Sequence, residues 1–124
     1  MSNIEFAERV ARVRQRFITS LESKITESYE ALPTLVGKGA TVHDAVAATY
    51  RCVHGIGGIG PSVGFADTGR AARNAEVVLL APFRERRALS AKELDAFRNA
   101  LLGLRDAAQR ELQAASAVGV DRDA

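Results

Sequence analysis

The chain has 124 residues, 47% of them apolar and 26% charged, with a formal net charge of +2. That length suits one domain with its own core, and the lone Cys52 excludes an internal disulfide framework and a multi-cysteine zinc site. Fourteen of the 17 basic residues are arginine, dispersed among 15 acidic residues without a basic stripe, and no apolar run approaches the ~20 residues of a bilayer span, so neither nucleic acid nor membrane is an expected partner.

The amino terminus reads as charged helix with no apolar signal core, and an unpaired thiol suits the cytoplasm. Ser2-Asn3-Ile4-Glu5 has capping-box spacing. Phe6, Val10, Val13, Phe17, Leu21, Ile25 and Leu32 then recur at steps of three, four or seven, one apolar stripe along a long helix. Arg9, Arg12, Arg14 and Arg16 fall mostly off that stripe and read as a solvated face. Pro33, Gly37 and Gly39 end the helix in a loop.

A second helix opens at Thr41-Val42-His43-Asp44, again with cap-like spacing, and its stripe is Val42, Val46, Thr49, Val53 and Ile56. A third is expected to begin between Ser62 and Asp67 and to stop at Ala81, before Pro82, with Ala72, Ala75 and Leu79 inward. Arg84 to Arg87 then reads as an exposed connection. Ser90-Ala91-Lys92-Glu93 is a third capping box, followed by Leu94, Phe97, Leu101, Leu104, Ala108, Leu112 and Ala115 at helical steps. The pattern predicts an all-α, antiparallel four-helix bundle over residues 1–118, with a frayed tail at 119–124.

Five of the ten glycines, Gly55, Gly57, Gly58, Gly60 and Gly64, fall within ten residues, just after His54. If Val53 faces the core, His54 is turned ~100° from it, at the edge of the stripe. Tyr50 and Arg51 lie one turn before it, Gly57 and Gly58 one turn after. Each glycine inside a helix costs ~1 kcal/mol relative to alanine, so the run either ends the helix at His54 or trades stability for access. An exposed imidazole beside bare backbone suits a nucleophile that a large partner approaches. Cys52, two residues earlier, reads as a small packed side chain.

His54-Gly55-Ile56-Gly57-Gly58, followed by Gly64-Phe65, resembles the phosphoacceptor motif of histidine-containing phosphotransfer domains, His-x-x-Lys-Gly with a second Gly six residues later and often a Phe after it. His54, Gly58, Gly64 and Phe65 match in position, and Glu76 stands where that family places a residue beside the histidine. The resemblance implies a four-helix bundle whose second helix carries the acceptor. It implies that His54 takes a phosphoryl group from a response-regulator receiver domain, with a hybrid sensor kinase upstream, and passes it to another receiver. Glu76 would orient the imidazole, and Tyr50, Gly57 and Gly58 would form the surface that admits the receiver. No cofactor is implied for this chain, since magnesium is expected on the receiver. The family's Lys is replaced by Gly57, which leaves Arg51 and Arg73 as candidates to neutralise the phosphoryl charge. No kinase signature is present, so autophosphorylation is not expected.

Two other readings stand beside this one. A protein of the same fold that docks receivers without accepting phosphate is compatible with the missing Lys. Gly55-Ile56-Gly57-Gly58-Ile59-Gly60 is also a literal GxGxxG, which in a dinucleotide-binding enzyme would follow a strand at 49–53. His43-Asp44 resembles only the opening of a sensor-kinase phosphoacceptor box, because Ala47 and Ala48 stand where its polar and proline residues would be.

Overall fold

A computed structural model describes the backbone of residues 2–123 and the side chains of residues 2–117. Four α-helices, α1 (Asn3–Ala31), α2 (Val42–Ile59), α3 (Ala66–Glu85) and α4 (Ala91–Asp123), pack as a helical bundle, with no strand among the described residues. Short 3-10 turns, Leu32–Leu35 and Gly60–Val63, follow α1 and α2. The largest packing surfaces are those of α3, with α2 on one side and α4 on the other, and α1 rests against both α2 and α4. The expected fraying at 119–124 concerns a stretch whose side chains lie outside the described residues.

Two of the three caps form in full. Ser2 Oγ accepts from the Glu5 N–H at 3.1 Å while the Glu5 carboxylate accepts from the Ser2 N–H at 3.4 Å, and Ser90 and Glu93 repeat the exchange at 3.1 and 2.9 Å. Thr41 makes no side-chain cap bond. The first turn of α3 is served from a distance: Glu111 of α4 accepts from both the N–H and the hydroxyl of buried Thr68, each at 2.7 Å.

The core combines Phe17, Leu21 and Ile25 of α1 with Val46, Val53 and Ile56 of α2, Ala72, Ala75 and Leu79 of α3, and Phe97, Leu101 and Leu104 of α4. These are the inward positions of the four apolar stripes. The stripe of α1 divides, however. From Phe17 onward it is buried, whereas Phe6, Val10 and Val13 remain 62%, 37% and 42% exposed.

Pro82 does not end α3, which continues to Glu85. The missing N–H sits in the last turn and the ring is fully buried, so packing offsets one lost hydrogen bond. The helix closes at Arg86, in the left-handed region at φ 54°, with the Arg86 and Arg87 N–H groups donating to the carbonyls of Phe83 and Pro82. Arg84 to Arg87 is therefore the end of a helix and a pinned corner, not an open connection. Arg87 forks onto both oxygens of Glu93 at 2.8 and 3.1 Å. Those hydrogen bonds hold the Glu93 carboxyl down at about 2, from an ordinary 4.5, and raise the guanidinium's own pKa.

Candidate functional site

The helix α2 runs through the glycine cluster instead of ending at His54. Two of the cluster's glycines, together with Gly69 of α3, explain why. A Cβ on Gly57 would stand 3.0 Å from Arg73 Cγ and 3.5 Å from the Gly69 carbonyl. One on Gly60 would meet the Phe65 carbonyl at 3.0 Å and the Gly69 backbone at 3.3 Å. Across the seam, a Cβ on Gly69 would fall 2.6 Å from the Pro61 ring. These residues let the end of α2 and the start of α3 touch backbone to backbone, and that packing offsets their helix-propensity cost.

Gly57, expected on the open surface with Gly58, is therefore buried. The stem of Arg73 covers it, because the two helices approach too closely there for a side chain on α2. Gly58 does face open space and is exposed, and nothing lies within 4 Å of a Cβ built on it. Gly64 has φ +89°, a conformation that favours glycine, and turns the chain into α3. Phe65 behind it is 1% exposed and meets the Phe17 ring edge-on at 5.2 Å between centroids. Arg14 anchors α1 to the same turn by donating from Nε to the Val63 carbonyl at 3.1 Å.

His54 projects from the α2–α3 seam with its side chain 64% exposed. Its Nδ1 stands 3.1 Å from Oε2 of Glu76 on α3, and the Glu76 side chain is only 22% exposed. Among the described residues Nε2 has no hydrogen-bond partner. Tyr50, expected as part of an open access surface, is half-buried and packed. Its ring lies nearly parallel to Phe83 at 4.2 Å and to the imidazole at 5.8 Å, and its hydroxyl donates to the same Glu76 oxygen at 3.4 Å. The imidazole is thus held along one ring face by Tyr50 and at one nitrogen by Glu76.

The two candidate arginines lie on different sides. Arg73, one turn before Glu76 on α3, runs along Gly57, which lies one turn after His54 on α2. Arg51 instead lines a groove between the start of α2 and the end of α3, with Asp44, Phe83, Arg84 and Arg86. Neither makes an ion pair among the described residues. Cys52 is half-buried, its Sγ 3.6 Å from the Lys24 carbonyl and 3.7 Å from Ser28 Oγ.

The signal for Tyr50 as a support was present in the sequence: an aromatic one turn before the histidine is placed to stack on it. Phe83 as its platform was hidden by the expectation that α3 stops before Pro82. The GxGxxG at 55–60 lies inside α2 and the turn after it, without the strand that a dinucleotide fingerprint requires.

No helix is long and apolar enough to cross a membrane, and no group of three potential metal ligands occurs, in each case among the described residues. In comparisons with known proteins, no family model, curated protein or solved structure matches the chain.

Proposed function

We propose that this chain is a cytoplasmic histidine phosphotransfer protein, an antiparallel four-helix bundle that relays phosphoryl groups between receiver-domain aspartates through His54. One observation carries the reading: an exposed imidazole whose Nδ1 stands against Glu76 while Nε2 has no hydrogen-bond partner among the described residues. In the neutral ring the proton sits on Nδ1, toward the carboxylate, and the lone pair on Nε2 is free to attack. An N–P bond forms at Nε2 as the P–O bond of an aspartyl phosphate breaks, and the electron pair leaves with the donor's carboxylate. The phosphorylated ring keeps its Nδ1 proton and becomes cationic. Glu76 stabilises that charge, and the reverse sequence delivers the group to a second receiver.

Arg73 is the cation of choice for the transferring group, because its stem occupies the space that a side chain at position 57 would need. Arg51 faces the neighbouring groove and suits contact with the receiver's surface better. Magnesium and the remaining charge stabilisation belong to the receiver in this reading.

The test is incubation with a panel of phosphorylated receiver domains. Acid-labile, base-stable label on the wild type and none on His54→Gln is the expected result. Glu76→Gln should slow transfer by roughly 10- to 100-fold, and Arg73→Ala by about tenfold, with Arg51→Ala nearer wild type. Receiver binding with no transferred label would replace the relay with a docking protein of the same fold.

A further inference from the structure

We propose that the groove beyond Tyr50, lined by Arg51, Arg84 and Arg86, takes an acidic segment of the receiver and so selects among receivers by charge. This rests on the relay reading of His54 and adds to it the chemistry of the partner. The groove holds about 650 Å³ between the start of α2 and the end of α3. Its three guanidiniums stand with one carboxylate, Asp44, and none of the four is in an ion pair among the described residues. His43 also lines the groove and adds positive charge when protonated. The carboxylates of Glu85 and Glu93 nearby are taken by Arg87, at 3.4 and 2.8 Å. The groove thus carries an excess of positive charge that nothing described in the chain answers.

Position decides what answers it. Asp44, Ala47, Arg51, His54 and Gly58 follow one another along α2 at steps of three and four, so groove and acceptor share one edge of the helix. Arg51 lies about 4.5 Å along the axis from His54, and Asp44 about 15 Å. One side of a standard interface, about 800 Å², is a disc of about 16 Å radius. A receiver that seats its aspartate on His54 with a contact of that size covers the groove. Phe83 links the two places, since it lines the groove and stacks on Tyr50, which stacks on the imidazole. Val77, 71% exposed and next to Glu76, adds apolar surface for the same partner to bury. The opposite end of the seam has no comparable charge, because Arg70 there is paired with Asp67 at 3.0 Å. The acidic segment of the receiver therefore lies toward Arg84, which sets the way round that the receiver sits.

The test reads binding of unphosphorylated receivers by titration calorimetry, beside labelling of His54 by the same receivers when phosphorylated. The pair Arg51→Glu with Arg84→Glu should weaken binding of the tightest receiver by at least about tenfold. The half-saturating receiver concentration for labelling should rise with it, and the saturating rate should change far less. Both side chains are exposed, so thermal unfolding should be unchanged. Arg86 is left in place because its left-handed backbone closes α3. Arg70→Glu, at the other end, should bind as the wild type does. Wild-type binding should weaken as NaCl rises from about 50 to 300 mM, and binding by the double variant should respond less. Across a panel, the wild type should favour receivers with a negative surface flanking the aspartate, and the double variant should reverse that order.

Binding unchanged in the double variant, an equal loss in Arg70→Glu, or no receiver bound at all would overturn the proposal. Inorganic tripolyphosphate seated in the groove without displacing the receiver would overturn it too. If His54 is labelled by a receiver whose binding ignores both arginines, the relay stands and the groove falls. If receivers bind through the arginines and leave no label on His54, the groove stands and the relay falls.

Discussion

The seam between α2 and α3 is built in two ways, and His54 sits between them. Toward the end of α2, Gly57, Gly60 and Gly69 bring backbone against backbone, with no room for a methyl group at Gly69. Toward the start of α2, the stacked rings of Tyr50 and Phe83 fill the space between the same two helices. The difference gives the histidine its setting. Close approach at one end brings Glu76 within 3.1 Å of Nδ1, and the aromatic pair at the other end supplies a flat wall for the ring. Rigidity comes from below and beside the imidazole, and exposure is kept on the outward side. One helix pair achieves both without any element covering the site.

The largest expected effect breaks the glycine end. Gly69→Ala puts a methyl group into the Pro61 ring, and the strain should cost roughly 3 kcal/mol in urea denaturation. Tyr50→Ala attacks the other end. It removes a half-buried ring stacked on two neighbours, for a loss of about 2 kcal/mol, and it should also slow transfer, because the imidazole loses its wall. Tyr50→Phe, which keeps the rings and removes the hydroxyl, should retain most of that stability. Gly58→Ala sharpens the contrast. Its methyl group meets open space inside a helix, so stability should rise by up to ~1 kcal/mol, while receiver-dependent labelling of His54 falls because the new side chain stands one turn from the acceptor.

One effect is read through its pH dependence and concerns the α3–α4 corner beside the aromatic end. The Glu93 carboxyl titrates at about 2 in the folded chain against an ordinary 4.5, so the pair's contribution is full above that ordinary value. It is lost as pH falls toward the folded value. Glu93→Gln should therefore flatten the acid limb of a thermal-stability profile between about pH 4.5 and 2.

Much of this was legible from residue spacing. The inward positions of α2, α3 and α4 follow from helical periodicity, and the caps at Ser2 and Ser90 follow from their partners three residues on. The pairing of His54 with Glu76 was suggested by resemblance and not by spacing. What could not be read has a common cause: periodicity says which face of a helix is apolar, and not what lies opposite. Phe6, Val10 and Val13 carry the same signal as Phe17, yet they remain exposed where Phe17 is buried. Gly57 and Gly58 are adjacent and alike in sequence. Only the position of α3 makes one a packing residue and the other open surface. Pro82 is a helix breaker by propensity, and burial of its ring overrode that rule.

The Glu111 cap has a consequence for how the domain opens. The Thr68 N–H at the start of α3 is answered by a carboxylate 43 residues further along, so that turn is complete only while α4 is docked. Local fraying there is tied to a larger event: hydrogen exchange at Thr68 should proceed no faster than α4 separates from α3. The turn that follows Gly64 thus shares the lifetime of the whole assembly, and the loop entering α3 holds its shape through every partner encounter that leaves α4 in place.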